Sequence, residues 1–428
     1  MKFFLGALPH NPHIQNVALA LHEGGALAAY RTGLVDNYRH AWSRTARQWI
    51  GAAAPRAARR LERRRITTVP DGLIYSERVC DGLLTLAQML KLNPTVQDAL
   101  WESVEKRFDE RCAAALARTP CDGFIGVEHG CLESARAARS LGKHVVVAFL
   151  SPHHETLRDC VFDEYAKYPQ LMTPYVERLL RLMPRRTARK DEEARLADMI
   201  HVASRFTSQS LVKHAGVDAR KIMCVPYGGP PPVARADVPQ SFDGPVRFLY
   251  SGNVSVNKGV HYLLQAWHSI GGGPHATLDL FGSVQLPLEA LREISRGATF
   301  HGPVPPSDLH GAYRAASVLI LPTLCDGFGL VVQEALAHGV PVITTTNAGA
   351  ADLIQDSRNG FVVAPASVAA LAEKMQWCIT HPREISRMRL AALDTAQAWT
   401  WDRFRETLRN DLRTAFGPAA VGALPLSA

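Results

Sequence analysis

The sequence predicts an α/β chain built as two tandem domains with a cleft between them. Three observations carry that reading. Short β-branched apolar runs alternate with helical stretches through both halves, the pattern of parallel sheets with helices on both faces. At Tyr227–Gly244 (YGGPPPVARADVPQSFDG) that alternation gives way to an unperiodic, Pro/Gly-rich stretch, and it restarts at Val246. A chain of 428 residues is also too long for one ordinary core. These place a first domain over residues 1–226, a linker over 227–245, expected to be an exposed connection, and a second domain over 246–401.

In the first half the strand Phe3–Leu8 comes first, followed by a helix over Gln15–His22 and a short strand over Ala26–Thr32. An Arg-rich region follows, then helical patterning over Asp81–Leu92 and Val96–Leu116. Gly123–Val127 and His144–Leu150 are buried strands on either side of a helix over Leu132–Leu141. A long helical stretch runs to Asp198, followed by strand Met199–Ala203, helix Phe206–Ala215 and strand Ile222–Val225. In the second half strands are expected at Val246–Ser251, Ala276–Phe281, Thr299–His301 and Phe361–Val363. Helices are expected at Gly259–Trp267, Leu288–Ile294, Ser307–Ala315 (with Ser307 as N-cap) and Val368–Cys378. The tail Arg383–Phe416 is helical with a break near Trp399–Trp401, and Gly417–Ala428 has a disorder-prone composition.

The segment with the most chemistry is Leu319–Thr346, LILPTLCDGFGLVVQEALAHGVPVITTT. Val318–Leu321 is a continuous apolar run, as in a strand buried on both faces. Gly327-Phe328-Gly329 supplies a tight turn, a helix follows from Leu330 to His338, Gly339 is a C-cap candidate, and Val342–Thr346 is again β-branched. Asp326 precedes the turn and Glu334 follows about one helical turn in. Ligands of open α/β sheets collect beyond the carboxyl ends of strands, where a helix N-terminus offers free N–H groups to an anion. Two further loops point the same way. Gly252-Asn253-Val254-Ser255-Val256-Asn257-Lys258-Gly259 puts a lysine at a helix start, a seat for a diphosphate. His301-Gly302-Pro303-Val304-Pro305 exposes backbone groups that can read a nucleobase edge.

Composition bounds the function class. Hydrophobic residues make up 47% and charged residues 21% of the chain, the usage of a soluble globular protein. The eight cysteines form no CxxC pair and no metal-type spacing, which reads as buried thiols in a reducing compartment. MKFFLGALPHNP reads as a first strand rather than a leader, and no run approaches the roughly 18 apolar residues of a membrane span. The expected location is therefore cytoplasmic. The net charge of +8 concentrates in Arg44–Arg65 and Arg178–Lys190. With Trp49 and Ile50 the first of these reads as a face for anionic lipid or simply as a solvated helix. Nucleic acid is not expected, because no nucleic-acid-binding signature accompanies the charge, and no G-x-G-x-x-G opens a dinucleotide site.

The ordered set GNVSVNKGVHYLLQAW, LFG, HGPVPPSDLHGAYRAASVLILPT and DGFGLVVQEALAHGVPVIT resembles the retaining GT-B glycosyltransferases of family 4, nearly continuously from Val246 to Pro365. The resemblance implies two Rossmann-like domains facing across a cleft. The second would bind a nucleotide sugar (UDP- or GDP-linked) and the first a glycan or lipid-linked acceptor. A C-terminal helix, about 402–416, would cross back to the first domain. Lys258, with Gly252 and Asn253, would stand at the donor diphosphate. Val304 would hold the base, and Gly327, Phe328, Gly329 and Leu330 would meet phosphate and sugar hydroxyls. Glu334 would bind the ribose and Asp326 would face the transferred sugar.

Two positions depart from the family. Asp326 stands where it usually carries Glu, and Asn253 stands where many members carry Arg. The implied reaction is transfer with retention. Retaining hydrolases place two carboxylates about 5 Å apart with one as nucleophile, whereas this family is held to favour same-face substitution with electrostatic support of the leaving diphosphate. No cofactor or metal is implied, and no Asp-x-Asp motif lies near the donor loops. On the acceptor side His153, in Ser151-Pro152-His153-His154, is the catalytic candidate. His129, His10, Asn11 and His13 are further cleft candidates. Two other classes remain open, a nucleotide-sugar-binding protein without turnover and a GT-B sugar-nucleotide epimerase.

Overall fold

The computed structural model describes residues 1–8, 11–35, 64–77, 82–84, 87, 90, 92–239 and 244–417. The Arg44–Arg65 run (apart from Arg64 and Arg65), His10, most of Asp81–Leu92 and the tail beyond Gly417 lie outside them. A first sheet holds β1 (Phe3–Ala7), β2 (Leu27–Thr32), β3 (Ile74–Ser76), β4 (Gly123–Val127), β5 (His144–Phe149), β6 (Met199–Val202) and β7 (Ile222–Cys224), in the order β3-β2-β1-β4-β5-β6-β7. A second holds β8 (Val246–Ser251), β9 (Ala276–Phe281), β10 (Ala298–Gly302), β11 (Val318–Leu321), β12 (Val342–Thr345) and β13 (Gly360–Val363), in the order β10-β9-β8-β11-β12-β13. Every pairing is parallel. β1, β4 and β11 are buried at every position, which explains their unbroken apolar character. In each sheet the order reverses once, between β1 and β4 and between β8 and β11. Such switch points open a crevice at the strands' carboxyl ends.

Helices α1 (Pro12–Glu23), α2 (Pro94–Leu116), α3 (Leu132–Ser140), α4 (His154–Lys167), α5 (Pro174–Leu196) and α6 (Arg205–Ala215) accompany the first sheet. With the second go α7 (Val260–Ser269), α8 (Leu288–Leu291), α9 (Pro306–Ala315), α10 (Leu330–Ala337), α11 (Val368–Thr380) and α12 (Pro382–Ala398). Helix α13 (Trp401–Phe416) then crosses back onto α1, where Arg405 reaches Asn16 Oδ1 at 2.8 Å and Glu23 at 3.1 Å. No helix of the described residues is long and apolar enough to cross a membrane.

Several expectations change in the structure. The linker is not exposed at its start: Tyr227 is only 4% exposed, and its carbonyl accepts the Gln333 side-chain amide. Pro and Gly report backbone conformation and say nothing of a large ring between them. Ser307 is not an N-cap. Helix α9 starts one residue earlier with Pro305 in the cap position, and the Ser307 hydroxyl donates to Asp308 at 3.1 Å, because proline at a first helical position is already set for the helix. The long helix before Asp198 is two helices, parted by a turn over Tyr168–Thr173 that holds Pro169 and is followed by Pro174. Strand β3 was not foreseen, since three residues carry no readable period.

The Tyr227 ring stacks on His13 at 4.9 Å and meets His201, Phe328, Trp401 and Phe404 within 6.3 Å. Both ring nitrogens of His13 and Nε2 of His201 are buried without a hydrogen-bond partner among the described residues. Burial holds His201 down to about 4. Burial first, then the charge of His201, holds His13 at about 3. Both values lie below the ordinary imidazole value of 6.5, so the unfolded chain takes up the protons first. The stability these rings contribute as neutral groups is therefore complete above about pH 6.5 and is lost as pH falls toward their folded values. Unfolding free energy should fall by roughly 2 kcal/mol per histidine between about pH 7 and about pH 5, seen as a lower melting temperature. The His201→Gln variant should flatten the curve, and a profile that wild type and variant share would overturn the assignment.

Candidate functional site

At the switch point of the second sheet two loops run side by side, Gly252–Gly259 after β8 and Pro322–Gly329 after β11. The Leu324 N–H and the Thr323 hydroxyl both donate to the Asn257 carbonyl, at 2.9 and 3.0 Å. That lock brings Lys258 Nζ onto Asp326 Oδ2 as an ion pair, while the Phe328 N–H reaches Asp326 Oδ1 at 3.4 Å. Helix α10 begins directly after with Gly329 at its cap and no side chain capping it, so its leading amides face the same place. One ammonium and one helix N-terminus at a switch point are the donors that the expected anion seat would use. The expected C-terminal signal also holds, since Gly339 follows α10 at φ +65°.

Further along, Glu334 stands one turn into α10. Its Oε2 accepts the Tyr313 hydroxyl of α9 at 2.8 Å. The His338 Nδ1–H donates to the Glu334 carbonyl at 2.7 Å, which leaves His338 Nε2 to accept from His310 Nδ1 at 3.1 Å. Burial pushes the Tyr313 phenol well up and holds the His338 imidazole down, so both work as neutral hydrogen-bonding groups. A cavity of about 220 Å³ opens here, lined by Leu309, His310, Tyr313, Leu330 and Glu334, with Trp401 and the Gly228–Pro230 linker on its far side. Val304 is half-buried in the loop leading into α9, Asn253 is exposed, and the Asn253 carbonyl accepts the Tyr250 hydroxyl at 2.6 Å.

The first domain presses on this site through one peptide. The Gly327 carbonyl accepts Ser204 Oγ at 2.8 Å and Thr207 Oγ1 at 3.3 Å. A Cβ on Gly327 would stand 2.0 Å from the Leu150 carbonyl, so only glycine permits the approach. Leu150 and Ser151 are themselves fastened by Glu128, whose Oε1 accepts both amides and the Ser151 hydroxyl at 2.7–2.9 Å while Lys190 pairs with Oε2 at 2.9 Å.

His153 follows in that same loop but turns inward. It is 6% exposed, caps α4 by accepting the Glu155 N–H on Nδ1, and sets Nε2 3.0 Å from Asp191. With Nδ1 accepting, Nε2 carries the proton and donates to the carboxylate. His153, His154 and Asp191 have their donor atoms within 4.8 Å of one another. His129, at φ +73°, stacks on Trp101 at 4.6 Å, and burial first, then the Lys190 and Arg189 charges, holds it at about 4. His13 is part of the Tyr227 cluster.

The structure thus joins Lys258, Asp326, Gly327, Phe328 and Gly329 in one place, with Leu330 and Glu334 on the adjoining cavity. Tyr313, Glu128, Ser151 and Ser204 escaped the sequence reading. They act through other residues, and their types are common enough that only the folded contacts single them out.

Residues 245–381 match the family model described as "Glycosyl transferases group 1". A D-inositol 3-phosphate glycosyltransferase of Frankia alni is 29% identical over 153 residues, 36% of this chain and 38% of that protein. The chain therefore matches well under half of that relative's length. Among solved structures, Anabaena HepE in complex with UDP-glucose superposes with TM-score 0.61 at 15% identity, over 97% of this chain and all of that one. The sucrose-phosphate synthase of Thermosynechococcus elongatus superposes with TM-score 0.60 at 18% identity, over 97% and 99%.

Replacing Gly327 by Ala should separate the domains or cost about 1–3 kcal/mol of stability through overpacking. The change would appear as a larger radius of gyration or a lower melting temperature. Gly311→Ala, in α9 with nothing within 4 Å of the new Cβ, should instead stabilise by about 0.5–1 kcal/mol. Equal effects of the two changes would show that the Leu150 contact is not formed.

Proposed function

We propose that this GT-B chain, whose residues 245–381 match the glycosyl transferases group 1 model, is a glycosyltransferase that moves a sugar from a nucleotide-sugar donor to an acceptor with retention of configuration. The observation that carries the reading is the Lys258–Asp326 pair at the N-terminus of α10, with Glu334 one turn further along the same helix. Lys258 and the leading amides of α10 would take the diphosphate and offset the charge that grows on it as the sugar leaves. Glu334, steadied by Tyr313, would take the two ribose hydroxyls. Asp326, released from Lys258 as the diphosphate arrives, would turn to the sugar. The UDP-bound neighbour motivates a UDP-sugar as the first donor to try, with GDP-sugars second.

The acceptor is proposed as a glycan or a lipid-linked saccharide in surface polysaccharide synthesis, met at the inner face of the membrane. The basic run Arg44–Arg65 supports a membrane contact; sedimentation with anionic vesicles at low but not high salt would test it.

The donor assignment is tested by thermal shift against a panel of nucleotide sugars, since a bound donor stabilises the fold by mass action. The anomeric configuration of the first product, read by NMR, decides retention. Lys258→Ala should lower kcat/KM by about 10²–10³. Glu334→Gln should raise the donor KM about tenfold with a smaller change in kcat. Full activity in Lys258→Ala would overturn the diphosphate assignment.

A further inference from the structure

Two helices of the first domain are longer than the sheet they cover. Helices α2 and α5 each hold 23 residues, about 34 Å of helix. Strands β4, β5 and β6 hold 5, 6 and 4 residues, about 20 Å at most. Both helices lead by their C-terminal ends to the amino ends of strands, α2 to β4 and α5 to β6. Their first halves therefore overhang the carboxyl edge. Burial divides them the same way: the buried residues of α2 begin at Val104 and those of α5 at Thr187, just past Pro184 inside the helix. Arg186 ties the two helices, donating to both carboxylate oxygens of Asp98 at 2.9 and 2.7 Å. Trp101 of α2 stacks on His129 of the cleft loop.

The overhanging half of α5 is amphipathic. At 3.6 residues per turn Tyr175, Val176, Leu179, Leu180, Leu182 and Met183 fall on one face, about 160° wide, and Glu177, Arg178 and Arg181 on the other. None of the six apolar residues is buried, and none packs against either hydrophobic core of the described residues. Tyr175 is 40% exposed, and Val96 in the first turn of α2 is 45% exposed. The charges also divide. Further along the basic run, Arg186 pairs with Asp98 and Glu102, Arg189 with Asp109 and Glu193, and Lys190 with Glu128. Arg178 and Arg181 pair with no acid among the described residues, and Arg178 Nε is buried without a hydrogen-bond partner. We propose that this overhang, the first half of α5 with the start of α2, is a docking face for an anionic lipid bilayer.

The apolar face enters the boundary between headgroups and acyl chains, as an amphipathic helix lying in the interface does. Tyr175 brings an apolar ring with a polar end, and Arg178 and Arg181 reach along their stems to lipid phosphates. A wide apolar strip suits a bilayer better than a soluble polyanion, and the two unpaired arginines select an anionic leaflet. Docking needs no transfer chemistry and uses other residues than Arg44–Arg65. Its use, bringing the cleft edge beside His129 to a lipid-linked acceptor, rests on the proposed function. Cosedimentation of the full chain with vesicles measures the docking without any turnover. Phosphatidylglycerol vesicles should bind it at low salt and release it at high salt, and phosphatidylcholine vesicles should not bind it. The Arg178→Gln/Arg181→Gln variant should bind about fivefold more weakly for each arginine removed. Tyr175→Asp, at an exposed position, should also weaken binding while keeping the wild-type melting temperature. Hydrogen exchange should slow over residues 174–183 when phosphatidylglycerol vesicles are present. Protection confined to residues 44–65, equal binding to both lipids, or wild-type binding by both variants would overturn the face. A dimer of the free protein that Tyr175→Asp breaks apart would make the face a contact between copies and overturn the membrane assignment.

Discussion

The Gly327 peptide is the point at which the two domains agree on a geometry. Its carbonyl is held by Ser204 and Thr207, and the face where a side chain would stand is filled by the Leu150 carbonyl. Ser204 is also the N-cap of α6, accepting the Thr207 N–H at 3.1 Å. A helix start in one domain is thus fixed to a loop in the other. Asp326 lies immediately before that peptide and Phe328 immediately after, so neither can move without straining the contact. Glu128 extends the constraint backward by fastening the Leu150–Ser151 corner. The anion seat is therefore built from the second domain, but its outer wall and the pose of its loop are set by the first.

A second tie runs through Tyr227, where the chain passes between the domains. Its ring meets Phe328 of the seat loop edge-on at 5.0 Å, and Gln333 of α10 donates to its carbonyl. Next to it, a Cβ on Gly228 would stand 2.2 Å from the backbone nitrogen of Trp401, so the linker and the start of the returning helix are packed backbone to backbone. A rotation of one domain on the other has to pivot about this cluster. On the opposite flank His261 of α7 pairs with Glu164 of α4 at 3.1 Å. Burial raises the Glu164 carboxyl, yet hydrogen bonds from His261, Lys167 and Tyr262 outweigh that and hold it at about 2. Helix α7 starts just after Lys258, so this pair anchors the lysine's loop as well.

What the sequence made legible follows from which forces are local. A strand buried on both faces announces itself by a continuous apolar run, as β11 does, and β9 by alternation of buried with more exposed residues; β8, β9 and β11 fall on their expected bounds. The seat was legible for a similar reason: glycines, a lysine and two acids at fixed offsets from a strand end express local backbone needs. Contacts between distant segments leave no such trace. Nothing in YGGPPP tells a reader that its tyrosine is the hub of a cluster drawn from α1, β6, α10's approach loop and α13. Nothing in SPHHET distinguishes a histidine facing a cleft from one that caps a helix and bonds to Asp191, because the two uses differ only in a side-chain rotation.

The two acids flanking the seat are alike in sequence and opposite in surroundings. Asp326 is balanced by a lysine and touched by the Phe328 amide, so its charge is compensated by the protein itself. Partly buried pairs of this kind add little net stability, since desolvation offsets the attraction, but they hold the ammonium in place before an anion arrives. Glu334 has only the neutral hydroxyl of Tyr313 on Oε2. That hydrogen bond fixes the carboxylate without neutralising it, on a side chain that lines the cavity. The shorter reach of Asp326 relative to Glu suits this division. A compact side chain can sit between Lys258 and the Phe328 amide in a loop that the first domain has already drawn tight.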